Sequence, residues 1–490
     1  MKRKELIKLG FGSREFVDLA IEGVKKAPQE GLKKAALRQR LQALSENPER
    51  FLKDPHFADL ARKVAVQDRT EGRYVPRKVP ATYQQWGHDI DQKAIQQMQN
   101  ACRLPVAARG ALMPDAHLGY GLPIGGVLAT RGAVIPYAVG VDIACRMKLT
   151  VLDLPAHALD GQRDRLAKTL ERETRFGIGA EFRDRRQHDV LDDDWSVSPV
   201  TQRLKDKAWK QLGTSGSGNH FVEFGELEVF PDPAADAAAV PRGPGRARGK
   251  AEAEAMTSID LEPGRYLALL SHSGSRGTGA QVCGHYSKLA QARHRDLPKE
   301  LFHLAWLDLD DEVGQEYWRA MNLMGRYAAA NHAVIHRHIA KALGSKVLLD
   351  VENHHNFAWL EEHDGEQVVV HRKGATPAGL GDLGIIPGSM ASPAYIVRGR
   401  GSQASLSSAS HGAGRVMSRK KAKESFTWSE TKKLLRERRV EVLSAGLDEV
   451  PMAYRDIDAV MAAQDDLVEP LARFFPRLVK MAPAGERPED

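Results

Sequence analysis

Apolar positions follow two different periods along this chain. Over residues 1 to about 80, Phe16, Leu19, Ile21 and Val24 recur at the spacing of amphipathic helices, among many Lys, Arg, Glu, Leu and Ala residues. The pattern predicts a helical N-terminal extension over 1–80. From Val79 the texture changes to short β-like runs broken by Gly and Pro, and a catalytic unit is expected over 81–480. Within it Tyr266 to Leu270, Val347 to Val351 and Val368 to Val370 read as strands, while 151–212 reads as mostly helical and 311–343 carries the longest helical pattern. The small and β-branched run Val139-Gly140-Val141-Asp142-Ile143-Ala144-Cys145 reads as a buried strand ending in a tight turn. Residues 228–260, with Pro231-Asp232-Pro233 and Gly243-Pro244-Gly245-Arg246, have the composition of a surface insertion, and 481–490 that of a polar tail.

Length and charge narrow this picture only modestly. A chain of 490 residues accommodates two to four domains, or one large catalytic unit with additions. Lys and Arg exceed Asp and Glu by 71 to 64, a net charge of +7 that permits an anionic partner such as RNA and is equally met by a solvated basic surface. The three cysteines, Cys102, Cys145 and Cys283, are too few for a disulfide framework, so the thiols are available as ligands in a reducing compartment. Met1-Lys2-Arg3-Lys4 leads into no apolar signal segment and no apolar run reaches membrane-spanning length, so a soluble cytoplasmic protein is expected.

Candidate chemistry begins at Asp142 and Cys145. A carboxylate and a thiol three positions apart can face one point from a turn, and a thiolate can bridge two ions while the carboxylate holds one. Alone, such a pair is more often a buried structural cysteine. The loops that follow change the balance. His220 closes the donor-rich run Gly213-Thr214-Ser215-Gly216-Ser217-Gly218-Asn219, His272 opens Ser273-Gly274-Ser275-Arg276, His355 sits before Asn356, and His411 precedes Gly412-Ala413-Gly414-Arg415. Histidines beside Gly, Ser and Asn at strand ends suit a site for metal and phosphate together. His411, with glycines for close phosphate approach and Arg415 as a clamp, is the candidate nucleophile toward phosphorus. His332 and His336 lie four apart on a helix without the glutamate of HExxH and are read as packing or surface residues. No P-loop exists, and the glycines at 119 to 126 miss the dinucleotide fingerprint.

Eight segments resemble, in order, the motifs of the RtcB family of RNA ligases. They are Pro-Asp-Ala-His at 114–117, Val-Gly-Val-Asp-Ile-Ala-Cys at 139–145, Gly-Ser-Gly-Asn-His-Phe at 216–221 and His-Ser-Gly-Ser-Arg-Gly at 272–277. His-His-Asn at 354–356, His-Arg-Lys-Gly-Ala at 371–375, Pro-Gly-Ser-Met at 387–390 and Ala-Ser-His-Gly-Ala-Gly-Arg at 409–415 complete the set. The resemblance implies an α+β fold of mixed sheets with surrounding helices. It also implies a GTP-dependent ligase that uses two Mn2+ ions to join RNA 3′-phosphate or 2′,3′-cyclic phosphate ends to 5′-hydroxyl ends, as in tRNA processing and RNA repair. By the same resemblance Asp142, Cys145 and His220 would hold one ion and Cys145, His272 and His355 the other. His411 would carry GMP, Asn219 would contact the phosphate, and Glu223, Ser389, Tyr454 and Lys480 would lie near guanine. An archease-like activator is an implied partner.

The chain departs from the family pattern at three places. Ala144-Cys145-Arg146 stands for Gly-Cys-Gly, Ala394 replaces a serine expected at the nucleotide, and Lys480 is followed by Met481 and nine further residues rather than by a terminal glycine. These changes keep two rivals in view: a metal-dependent RNA-end phosphodiesterase or phosphatase that needs no GTP, and a non-catalytic RNA-end-binding protein.

Overall fold

Helical spacing near the N-terminus yields α1 (Arg3–Ile7), α2 (Arg14–Lys26), α3 (Lys34–Glu46) and α4 (Ala58–Glu71), in a computed structural model that describes residues 3–7, 9–11, 14–26, 34–71, 74–231 and 259–486. Phe16, Val17 and Ala20 of α2 meet Leu37, Leu41 and Leu44 of α3 and Leu60, Ala61 and Val64 of α4, with Leu19, Ile21 and Val24 packed around them. The extension is thus a small bundle with its own apolar centre. It is attached where Ile7 packs on the main core and Arg3 meets Glu312 at 3.8 Å.

The later helices are α5 (Gln92–Ala101), α6 (Pro136–Val139), α7 (Ala158–Gly161), α8 (Arg163–Glu173), α9 (Pro199–Gln211), α10 (Arg276–Arg293), α11 (Glu312–Leu343), α12 (Arg419–Ser425), α13 (Trp428–Glu437) and α14 (Ile457–Ala462). The strands are β1 (Tyr83–Gln85), β2 (Ala107–His117), β3 (Ile124–Thr130), β4 (Ala133–Val134), β5 (Arg146–Pro155), β6 (Phe221–Val229), β7 (Gly264–Ser273), β8 (Leu307–Asp308), β9 (Val347–His354), β10 (Asn356–His363), β11 (Glu366–Lys373), β12 (Ala375–Pro377), β13 (Leu383–Pro387), β14 (Ala394–Gly399), β15 (Ser408–Ser410), β16 (Glu441–Ser444) and β17 (Val468–Met481). One mixed sheet runs β1-β2-β3-β11-β10, and a larger one runs β13-β14-β17-β6-β7-β5-β9 with β16 parallel to β17. Asn353 of β9 accepts from Ile385 N of β13 at 3.0 Å, which draws the two ends of the larger sheet into a nearly closed barrel. The chain is therefore α+β, with mixed sheets and surrounding helices.

Strand alternation then decides what faces the barrel interior. Along β7, Leu267 and Leu269 pack outward on Ile335, Ile339 and Leu343 of α11, while Ala268 and Leu270 point inward with Met147, Leu149, Val351 and Phe474. The parity runs on to the strand end. Ser271 meets α11, its hydroxyl 2.7 Å from His332 Nδ1 and 2.7 Å from His336 Nε2, and His272 is delivered to the interior rim. His332 and His336 are accordingly buried packing residues away from the cleft.

Two local expectations are corrected. Val139 ends a helix rather than starting a strand, because Pro136 presets the first turn of α6 and Gly140, at φ 106°, terminates it; residues 141–145 are a loop leading into β5. The first residues of the 151–212 stretch continue β5 to Pro155 before the helices begin. The 32-residue α11, closed by Gly344 at φ 61°, matches the longest helical pattern. The insertion expected over 228–260 falls largely on residues 232–258, outside the described residues, as do the last four residues of the tail. Among the described residues no helix is long and apolar enough to cross a membrane.

Candidate functional site

Four neighbouring strands, β6, β7, β5 and β9, present their ends at one rim of the barrel. The pairings Phe221 with His272, Arg146 with Ser273 and Arg146 with His354 place His220, His272, Cys145 and His355 side by side. Cys145 Sγ lies 3.5 Å from His220 Nε2 and 3.1 Å from His272 Nε2, and His272 Nε2 lies 3.2 Å from His355 Nε2. On the other side of the sulfur, Asp142 Oδ2 is 3.2 Å from His220 Nε2. Four distant segments, with Asp142 and Cys145 from one, thus converge on a single point.

The protonation pattern fits a cation there. His220 Nδ1 donates to Ser215 O at 2.7 Å and His272 Nδ1 to Asn219 O at 3.1 Å, so both rings turn an Nε2 lone pair toward the thiol. Burial, then the neighbouring His220, pushes His272 down to about 3, and burial holds His355 well below the usual imidazole range, so both rings are neutral, the form in which an imidazole can bind a metal. Burial favours protonated Asp142, but its polar surroundings outweigh burial and hold the carboxyl below its ordinary value, with Oδ1 accepting from Ser275 N at 3.0 Å. Asp142 Oδ2 and His355 Nδ1 are buried without a hydrogen-bond partner. Lone pairs, a thiol and an ionised carboxylate collected with so few protons call for a metal ion.

These residues line a cleft of about 1250 Å³ that also contains His411. Its ring is 5.0 Å from that of His355. Asp115, fully buried, receives His411 Nδ1 at 2.7 Å and the backbone N–H groups of His411 at 3.1 Å and Gly412 at 3.3 Å. The aspartate therefore fixes the tautomer, leaving Nε2 with the lone pair. His117 also faces the cleft, and burial pushes its imidazole down to about 4.

Asn219, Glu223, Ser389 and Tyr454 all line the cleft, and burial raises the Glu223 carboxyl well above its ordinary value. Lys480 does not. Val479 and Met481 face the cleft, whereas Lys480 pairs across the sheet with Val222 and points its ammonium to the far side, 3.4 Å from Leu170 O and 5.8 Å from the Phe176 ring centre. Arg415 lies in the wall with its donors committed to Glu449 at 3.3 Å, Tyr454 Oη at 3.1 Å and Asp448 O at 2.6 Å, so it braces Tyr454. The substituted Arg146 turns away from the cleft to Glu352, 3.1 Å, while Ala144 adopts φ 57°, the left-handed region that glycine favours. Near Ala394 the Ser389 and Ser392 hydroxyls are 3.0 Å apart and both face the cleft.

Asp115 joins the candidate site only through its contact with His411. The Pro-Asp-Ala-His motif marks it, but its partner lies 296 positions away.

A family model described as tRNA-splicing ligase RtcB matches residues 97–197 and 193–481. The RNA-splicing ligase RtcB of Escherichia coli K12 is 34% identical over 412 residues, covering 78% of this chain and 92% of the relative. The tRNA-splicing ligase RtcB of Thermococcus kodakarensis is 30% identical over 458 residues, covering 79% and 90%. The RNA-splicing ligase RtcB of Mycobacterium tuberculosis is 31% identical over 448 residues, covering 78% and 98%. The bundle of α1 to α4 lies outside the family match.

Proposed function

Since the chain belongs to the RtcB family of tRNA-splicing ligases and is a ligase, we propose that it joins RNA 3′-phosphate or 2′,3′-cyclic phosphate ends to 5′-hydroxyl ends through a guanylated His411. Asp142, Cys145 and His220 would hold one Mn2+ and Cys145, His272 and His355 a second. Such ions supply positive charge against the phosphates, lowering the barrier to attack at phosphorus.

In the first step His411 Nε2 attacks the α-phosphorus of GTP. A P–N bond forms, the bond to the β-phosphate oxygen breaks, and pyrophosphate leaves. Asp115 keeps the proton on Nδ1 and so keeps Nε2 nucleophilic. A 2′,3′-cyclic end is first opened by water to a 3′-phosphate. A 3′-phosphate oxygen then attacks the guanylate phosphorus as the P–N bond to His411 breaks, and the 5′-hydroxyl oxygen attacks the RNA 3′-phosphorus, giving up its proton and releasing GMP as the phosphodiester closes. Asn219 would contact phosphate, with Glu223, Ser389 and Tyr454 beside guanine. Lys480 takes no part in this assignment. Three buried cysteines outside any disulfide suit a reducing cytoplasm, and an archease-like activator is part of the proposal.

The observation that carries the reading is His411 held by a buried carboxylate 5.0 Å, ring to ring, from a candidate metal ligand. Incubation with Mn2+ and GTP labelled at the α-phosphate leaves acid-labile label on the protein, and His411→Ala abolishes it. Asp115→Asn slows labelling roughly 10²- to 10⁴-fold, the range for a positioned proton-handling group. Ends trimmed without GTP, at a rate indifferent to His411→Ala, would replace ligation with a phosphodiesterase.

A further inference from the structure

One stretch of the cleft wall is used by neither the metal ligands nor the nucleotide residues. It consists of Leu118, Tyr120 and Tyr137, with His303 behind them. Tyr137 and His303 stack with ring centres 4.6 Å apart and planes 38° apart, and Tyr120 stands edge-on to them at 6.5 and 5.9 Å. Tyr120 is nevertheless 66% exposed and Leu118 49%.

The loop that carries Tyr120 is not free to fold the ring away. Gln97 donates to Gly119 O at 2.6 Å and accepts from Gly119 N at 3.0 Å, and Lys373 Nζ donates to Tyr120 O at 2.5 Å. Gly121, at φ 73°, packs so closely on His303 that a Cβ there would meet its backbone oxygen at 3.1 Å. An anchored backbone thus holds a large flat ring in solvent at the edge of a reactive cleft. The anchor is close to the chemistry, because a Cβ on Gly374, the residue after Lys373, would lie 3.2 Å from His411 Cε1.

We propose that Tyr120 is a stacking platform for a nucleobase of the single-stranded RNA end engaged at His411. The proposal rests on the ligation reading and adds how the end is gripped. Two exposed side chains are too small a patch for a protein interface, whereas one ring face matches one base. Every base offers a π-face, so a stacked tyrosine holds an end without selecting its sequence, as joining varied RNA ends requires. The buried Lys373 ammonium that holds the Tyr120 carbonyl also lies 5.4 Å from the Tyr137 ring centre, which ties the loop to the ring cluster beneath it.

A short RNA with a 3′-phosphate and 2-aminopurine at the terminal nucleotide tests this in the full-length protein. Binding quenches the fluorescence in the wild type. Tyr120→Ala removes the quench and raises Kd roughly 5- to 150-fold, the loss of one stacked base, with an unchanged melting temperature because the ring is exposed. Tyr120→Phe and Tyr120→Trp retain both quench and affinity within about 2-fold. A Tyr120→Ala Kd within 2-fold of wild type, or equal loss in Tyr120→Phe, overturns the platform. GTP labelling of the wild type is read in parallel: its absence sinks the guanylation reading, while the quench still judges Tyr120.

Discussion

The Asp115 to His411 contact shows how much one residue depends on context. His411 could be singled out from its glycine-rich loop, but nothing local says that a carboxylate 296 positions earlier holds its ring. Ala144 is the reverse case, since its φ of 57° is legible only in three dimensions. The left-handed region costs an alanine about 1–2 kcal/mol, but glycine's greater unfolded freedom and the loss of a fully buried methyl offset this, so Ala144→Gly stays within about 1 kcal/mol of the parent in urea titration. His371 gives a pH dependence. It donates Nδ1–H to Leu128 O at 3.1 Å and accepts from Ile135 N at 2.9 Å, which only a neutral ring can do, and burial pushes it from 6.5 to about 4. Because the unfolded chain takes up the proton more readily, this contribution is complete above pH 6.5 and is lost as pH falls toward 4. The loss is on the order of 3 kcal/mol. Unfolding midpoints that stay flat between pH 7 and 4.5 would contradict it.

At the scale of elements, the two periods in the chain did different work. The 3.6-residue period is visible in α2 and α11, where one stripe is buried along a long run. It is absent from α6, a four-residue helix too short to show a period, where Pro136 and Gly140 punctuate an otherwise strand-like composition. Strand parity set the site, since Leu270 and His272 share one face of β7 while Leu269 and Ser271 share the other. Leu269→Ala, at the seam between β7 and α11, costs about 2–5 kcal/mol and disturbs the strand that holds His272, so metal affinity falls with stability. Leu41→Ala in the N-terminal bundle costs a similar amount in its own core, and calorimetry on that variant shows metal binding intact.

Over the whole molecule, charge is unevenly shared. Residues 1–80 hold 19 of the 71 Lys and Arg but only 11 of the 64 Asp and Glu, so they carry the entire positive excess. RNA attraction at a distance is therefore expected to come from the N-terminal bundle. Reversing exposed Lys25, Arg38, Arg50 and Lys53 together flattens the salt dependence of RNA binding by roughly 0.7 log unit per log salt for each phosphate no longer neutralised. An unchanged slope would place that attraction elsewhere. What the sequence by itself determined is the inventory of this protein: the helical extension, the strands, and the thiol, carboxylate and imidazoles, because side-chain period and loop composition are local properties. Only the tertiary structure decided which of them meet. Sheet order brings Cys145, His220, His272 and His355 to one rim, strand parity sends Lys480 to the other face, and a buried aspartate orients His411, because contacts between distant segments arise from register and closure, which no local pattern encodes.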